Sequence, residues 1–166
     1  MRMVSATAAL CALGLASAAH AGSVAKDKLA IRASLEAGCQ GFINGDVAAA
    51  MIPYSKDAFV FDLTPKLSST YDDVWQGNVK LIQAIDAKTK PTCVYKDMVI
   101  NVDHNHAYAH YLLAFTASLK GGKSLDVVER VTDIFERTPR GWFVVHEHGS
   151  VPLDIMSGKL FLHAVE

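Results

Sequence analysis

Between Lys26 and Asn44 the apolar residues Leu29, Leu35, Phe42 and Ile43 recur near a helical period, which predicts an amphipathic helix. Gly45 ends it, and Asp46 is placed to cap a short second helix to Ile52, where Pro53 stops the chain from continuing. The β-forming run Ala58 to Leu63 predicts a strand, and Thr64 to Thr70, with Pro65, a loop. Helical spacing returns from Tyr71 to Lys88, with Asp72 or Asp73 near its cap, Trp75, Val79, Ile82 and Ile85 on one face, and Pro91 beyond its end. The pattern then becomes one of strands: Thr92 to Val102, His106 to Leu119, Ser124 to Arg137 and Trp142 to Val151. Turn signals at Asp103-His104-Asn105, Gly121-Gly122 and Pro139-Arg140-Gly141 separate them.

Helix, helix, strand, helix and four antiparallel strands is an α+β order: one curved antiparallel sheet with helices packed on its concave face. A curved sheet half-covered in this way forms a cone with an open mouth, a natural small-molecule pocket.

The first 21 residues follow a different logic. Arg2 is a positive start, Val4 to Ala18 a small apolar stretch, and Ala19-His20-Ala21 a small-x-small cleavage pattern before Gly22. Residues 1–21 therefore read as a signal peptide and 22–166 as a single domain, periplasmic or secreted. Losing Arg2 leaves 15 basic against 17 acidic residues. That balance offers no basic face for nucleic acid. No apolar run in the body of the chain is long enough to span a bilayer, so no membrane contact is expected once the leader is gone. Cys11 leaves with the leader. Export permits a disulfide between Cys39 and Cys93; two separate buried thiols are the alternative.

Two local motifs go further. Gly45-Asp46 followed by Asp57-Ala58-Phe59-Val60-Phe61-Asp62 resembles a stretch of ketosteroid isomerases. Trp142-Phe143-Val144-Val145-His146-Glu147-His148-Gly149-Ser150 resembles a strand of the calmodulin-dependent kinase II association domain. With the order of elements, these make essentially the whole mature chain similar to the nuclear transport factor 2-like superfamily, which includes the SnoaL-like polyketide cyclases and scytalone dehydratase. The resemblance implies the cone fold. It aligns Asp62 with the isomerase base, but the isomerase oxyanion tyrosine and acid fall at Gly38 and Val131, neither of which donates a side-chain hydrogen bond. The association domain's anion-binding arginines fall at His110, Asp133 and Gly149, so capture of a carboxylate by arginines is not expected.

The same resemblance, combined with strand alternation, places Val131, Asp133, Val145, Glu147 and Gly149 on the pocket face of the last two strands, and His110, Leu112 and Ala114 on that of the strand before. The candidate catalytic residues are Asp62, His110 and Glu147; Asp133, Val131, Val145, Leu112 and Tyr108 are candidate lining. Buried carboxyls with raised pKa values could divide the roles of base and acid. Each has a plainer reading: a solvated strand end for Asp62, a paired polar cluster for Asp133 and Glu147, a hydrogen-bonded core histidine for His110.

Alternation puts Trp142, Val144, His146 and His148 on the outer face, beside Arg130 and Thr132. Arg130 is expected near His148, and Thr132 near His146. A tryptophan with aliphatic neighbours and a polar rim suits a homodimer interface; alternatively, Leu153 to Val165 folds back over it. His146 and His148, and His104 and His106, have two-residue spacing but no third ligand, so no metal is expected. Phosphate loops and nucleophile elbows are missing, and no cofactor is expected. The function expected is cofactor-free isomerase, cyclase or dehydratase chemistry on a small apolar carbonyl compound. The alternative is a non-catalytic periplasmic ligand-binding or assembly domain.

Overall fold

The computed structural model describes residues 8–162, with side chains from residue 23 onward. Of the expected leader, residues 1–7 lie outside the described residues and 8–21 are described as backbone alone. Helix α1 (Ala8–Ile43) is followed by α2 (Val47–Ala50), β1 (Tyr54–Phe61), β2 (Ser69–Thr70), α3 (Tyr71–Ala84), β3 (Thr92–Asp103), β4 (His106–Ser118), β5 (Ser124–Thr138) and β6 (Gly141–Ser150). A small hairpin, β7 (Leu153–Asp154) and β8 (Lys159–Leu160), ends the described chain. The main sheet runs β2-β1-β6-β5-β4-β3. All its pairs are antiparallel except β1 with β6, so β1 and β6 end on the same side of the molecule. Among the described residues no helix is long and apolar enough to cross a membrane.

Local chemistry sets the joints. The Asp46 carboxylate accepts from Ala49 N at 3.0 Å and caps α2. Thr70 and Asp73 form a reciprocal capping box at the start of α3. Gly38 and Gly41 let α1 lie directly on its successor: a Cβ on Gly38 would stand 2.9 Å from Pro53 Cγ, and one on Gly41 would collide with Ala49 and Ala50.

α1 lies on the concave face of the sheet. Its inward positions are Ile31, Leu35, Cys39 and Phe42; Leu29, expected on this face, is two-thirds exposed. Ile31 and Leu35 pack with Ala109, Tyr111, Val131, Phe135, Trp142 and Val144 in the main core. Near the start of the described side chains, the buried Asp27 carboxylate accepts from Arg137 and from Trp142 Nε1, and the Arg137 guanidinium lies over the Trp142 ring. This anchor holds Asp27 ionised, its pKa lowered chiefly by the Arg137 hydrogen bond. Further along, Cys39 and Cys93 form a disulfide that ties α1 to the start of β3, with Cα atoms 5.7 Å apart.

Trp142 and Val144 are therefore core residues, not outer-face residues. β6 carries a bulge: Val144 pairs with Phe135 but His146 pairs with Ile134, leaving Val145 as an extra, half-buried residue. Alternation restarts there. Trp142 and Val144 point inward before it, Glu147 and Gly149 after it, while His146 and His148 face out. The register moves as well: Thr132 pairs with His148, and Arg130 with Ser150. The described part of the C-terminal segment does not cover the outer face: Leu153, Ile155, Met156 and Leu160 are all exposed.

The disulfide closes a loop of 54 residues, for which chain entropy gives about 4 kcal/mol of stabilisation. Cys93→Ser should lower the unfolding free energy in urea by about that amount. Alkylation followed by mass spectrometry should find Cys39 and Cys93 unlabelled in the denatured, non-reduced protein.

Candidate functional site

Strand alternation concentrates acid on the concave face. On β5 the inward residues are Glu129, Val131, Asp133 and Phe135; on β6, beyond the bulge, they are Glu147 and Gly149. Asp133 and Glu147 are direct cross-strand partners. Tyr111 reaches the same place from β4, Tyr95 from β3, and Tyr54 from the first position of β1. The Tyr111 hydroxyl donates to Asp133 Oδ2 at 2.6 Å, and the Tyr54 hydroxyl donates to Glu147 Oε2. Tyr95 donates to the Leu35 carbonyl at 3.1 Å and meets the Tyr111 ring edge-on. Three phenols and the acids Glu129, Asp133 and Glu147 thus face one another beneath α1.

These acids cannot all be charged. Burial pushes both Asp133 and Glu147 upward, and the Asp133 charge raises Glu147 further. Asp133 is fully buried, yet Oδ1 has no hydrogen-bond partner, the one such buried side-chain atom among the described residues. A proton kept on Glu147 supplies the missing donor and completes a chain: Tyr54 to Glu147, Glu147 to Asp133, with Tyr111 donating from the other side. Glu129 stands apart. Burial, chiefly, pushes its pKa up to about 8, and its carboxyl makes no hydrogen bond among the described residues. Its carboxylate occupies the space over Gly149, where a Cβ would collide with it.

Asp62 follows β1 directly. It is half-buried, its pKa raised by burial, and its Oδ1 accepts from Leu63 N at 2.6 Å. It lies close enough to Glu129 and Glu147 for its charge to raise both. Tyr54, Tyr95, Glu129, Glu147 and Asp62 all keep partial exposure. Solvent therefore reaches this acidic group on the concave side. Two cavities lie elsewhere, about 320 Å³ between α1 and β3 and about 250 Å³ beside Tyr108 and Ile134, and neither touches these acids. Among the described residues no three His, Cys, Asp or Glu side chains are arranged to hold a metal.

The structure thus brings Asp62, Asp133, Val131 and Glu147 to the concave side. It does not bring His110, Leu112 or Tyr108 there. On β4 the inward positions are Ala107, Ala109, Tyr111 and Leu113, and their even-numbered neighbours face out. Tyr108 and His110 are exposed and stacked on each other, with ring centroids 6.3 Å apart. Val145 sits at the bulge. Four residues escaped the sequence reading: Glu129, Tyr54, Tyr95 and Tyr111. Glu129 was within reach, because it shares parity with Val131 and Asp133.

A family model for the SnoaL-like domain matches residues 31–154. Solved structures share the fold at low identity. An NTF2-like protein of unknown function from Pseudomonas putida KT2440 is 20% identical, with a TM-score of 0.71 over 86% of this chain and 97% of that one. A candidate aromatic ring hydroxylase from Novosphingobium aromaticivorans is 15% identical, with a TM-score of 0.67 over 75% and 88%. A candidate dehydratase of the NTF2-like family from Streptomyces avermitilis is also 15% identical, with a TM-score of 0.66 over 78% and 98%. No curated protein matches the chain.

Glu129 ties stability to pH. Between the ordinary glutamate value of 4.5 and about 8, the folded protein holds a proton that the unfolded chain has released. Stability therefore falls as pH rises through that window and levels above it. The melting temperature should follow this fall, with Asp133 and Glu147 adding to it. Glu129→Gln should flatten the slope and melt higher than the wild type at pH 9.

Proposed function

The chain belongs to the SnoaL-like domain family, and on that premise we propose that the acids on the concave side of its cone line a hollow that serves as a proton-transfer site for a small, uncharged carbonyl compound. The observation that supports this reading is the contrast between Asp62 and Glu129. Asp62 is the more accessible acid, at the end of β1, and acts as the base that removes a proton from the carbon next to the carbonyl. Glu129, protonated below about pH 8 and without a hydrogen-bond partner among the described residues, donates to the carbonyl oxygen as it gains charge. Glu147 holds its proton behind them. Isomerisation, cyclisation and dehydration can all begin with this step. Every charged side chain placed around the hollow is an acid, which disfavours an anionic substrate.

A second reading keeps the pocket and drops the chemistry. It is favoured by the commitment of the Tyr54 and Tyr111 hydroxyls to carboxylates, which leaves neither phenol for an oxyanion. In this reading the chain is a ligand-binding domain.

Incubating the protein with a panel of uncharged aryl and cyclic ketones in D₂O tests both. We expect deuterium to enter the α-carbon of at least one ketone. Asp62→Asn should slow exchange by ~10²–10⁴-fold. Exchange should also decline above pH about 8, where Glu129 loses its proton, and Glu129→Gln should remove that decline. A ketone that binds tightly without exchanging supports the binding domain.

We also propose that the protein is exported. The disulfide between Cys39 and Cys93 suits an oxidising compartment. Protein isolated from its native source should begin at Gly22, as read by N-terminal sequencing.

A further inference from the structure

The cavity of about 320 Å³ between α1 and β3 differs in chemistry from the acidic group under α1. It is lined by Lys28, Leu29 and Arg32 from one flank of α1 and by Met98, Val99 and Ile100 from β3. Both charged side chains in that lining are cations, and the other four are apolar. Two of the apolar ones are left in the open: Leu29 is 68% exposed and Val99 45%. The strand is bulged at this point. Lys96 pairs with Leu112 and Val99 with His110, so Asp97 and Met98 together stand opposite Tyr111, and Asp97 takes a φ of 53°. β3 ends the sheet, so its outer edge has no strand beside it among the described residues. The bulge therefore bends a free edge. Three consecutive residues, Met98, Val99 and Ile100, border one cavity there, where regular alternation would divide them between two faces.

We propose that this cavity binds a small amphiphilic anion, a carboxylate on a short apolar chain, at a site separate from the acids on the concave side. The volume lies at the lower end of the roughly 300–1,000 Å³ of small-ligand pockets. Charge selects the sign. Lys28 and Arg32 are one turn apart on the same helix face, so their heads can meet one carboxylate, the guanidinium through two parallel hydrogen bonds. The acids nearby leave them available. Asp27 is committed to Arg137 and Trp142 inside the fold. Asp97 is exposed and does not line the cavity. Glu36 is exposed and stands 3.8 Å from Arg32, beyond hydrogen-bond distance, and an exposed pair of that kind holds its arginine weakly. Leu29 and Val99 supply the apolar half: a bound chain takes from water the surface that the fold leaves uncovered. The acids on the concave side repel an anion and this cavity attracts one, so the two places select different molecules. The proposal does not depend on proton transfer at Asp62.

Titration of isotope-labelled protein with sodium decanoate, followed by amide NMR, tests the site. We expect saturable shifts centred on Leu29, Arg32, Met98 and Val99, with a Kd of about 1 mM or tighter. Decyltrimethylammonium, equal in chain and opposite in charge, should bind about tenfold more weakly or not at all. The double variant Lys28→Gln, Arg32→Gln, on two partly exposed positions, should stay folded by circular dichroism. It should lose about tenfold in affinity for decanoate, as the loss of two exposed ion pairs implies. Leu29→Glu, on an exposed position, should weaken decanoate in the same direction. Absence of saturation up to ~10 mM decanoate, ten times the weakest expected Kd, would overturn the proposal. Shifts centred on Tyr54, Glu129 and Glu147 would overturn it too, by assigning the anion to the concave side. Equal binding of the two amphiphiles, or an unchanged affinity in the double variant, would remove the cations from recognition. Co-sedimentation with phosphatidylglycerol vesicles that the double variant loses would make the cavity a membrane contact and overturn a site for a free ligand.

Discussion

One extra residue in β6 organises this protein. A strand alternates its side chains between two faces, so ten residues without a bulge could not put Trp142, Val144, Glu147 and Gly149 on the same side. The bulge at Val145 shifts the phase between Val144 and Glu147. The first half of β6 then contributes to the apolar core under α1, and the second half to the acidic hollow. The bulge also turns His146 and His148 outward together. Core, pocket and outer face all depend on that shift.

The acids in the hollow would be costly if each were charged and alone, because desolvating a carboxylate without a partner costs several kcal/mol. The protein meets this in three ways. It aims two phenols at Asp133 and Glu147, it retains a proton between them, and it leaves Glu129 and Asp62 partly exposed within the hollow. What remains is a graded set of acids in one small space. Asp133 is locked from both sides, Glu147 is held protonated, Glu129 changes state near the upper end of the physiological range, and Asp62 is the most open to arriving molecules. Grading of this kind lets chemically identical groups take different parts in one proton transfer.

Much of this was legible in the chain. The element order, the cap at Asp46, the turn at Gly121-Gly122 and the four long strands follow from periodicity and turn chemistry, and they identify the fold. Asp133 and Glu147 could be placed on the pocket side because local alternation near the resemblance motifs is sound there. What escaped was long-range phase. A bulge leaves little mark on sequence, so uninterrupted alternation puts Trp142 and Val144 on the wrong face. The family resemblance puts His110 on the pocket face of β4, whereas Ala107, Ala109 and Tyr111 are the buried set. Tyr54 escaped for another reason: the strand begins there, directly after Pro53, four residues before the run of strong β-formers. Leu29 is the converse case, an apolar residue at a plausible spacing that the fold leaves to solvent.

α1 is fastened at two separated points. Asp27 grips Arg137 and Trp142 at the closed end of the β5–β6 hairpin, and Cys39 is bonded covalently to Cys93 at the far edge strand. A roof pinned in this way cannot swing open as a hinged lid. The partly exposed acids on the side where β1 and β6 finish, Asp62 and Glu129, therefore stand under a roof of fixed position. The rigidity of that roof, more than any property of the acids themselves, keeps their surroundings constant.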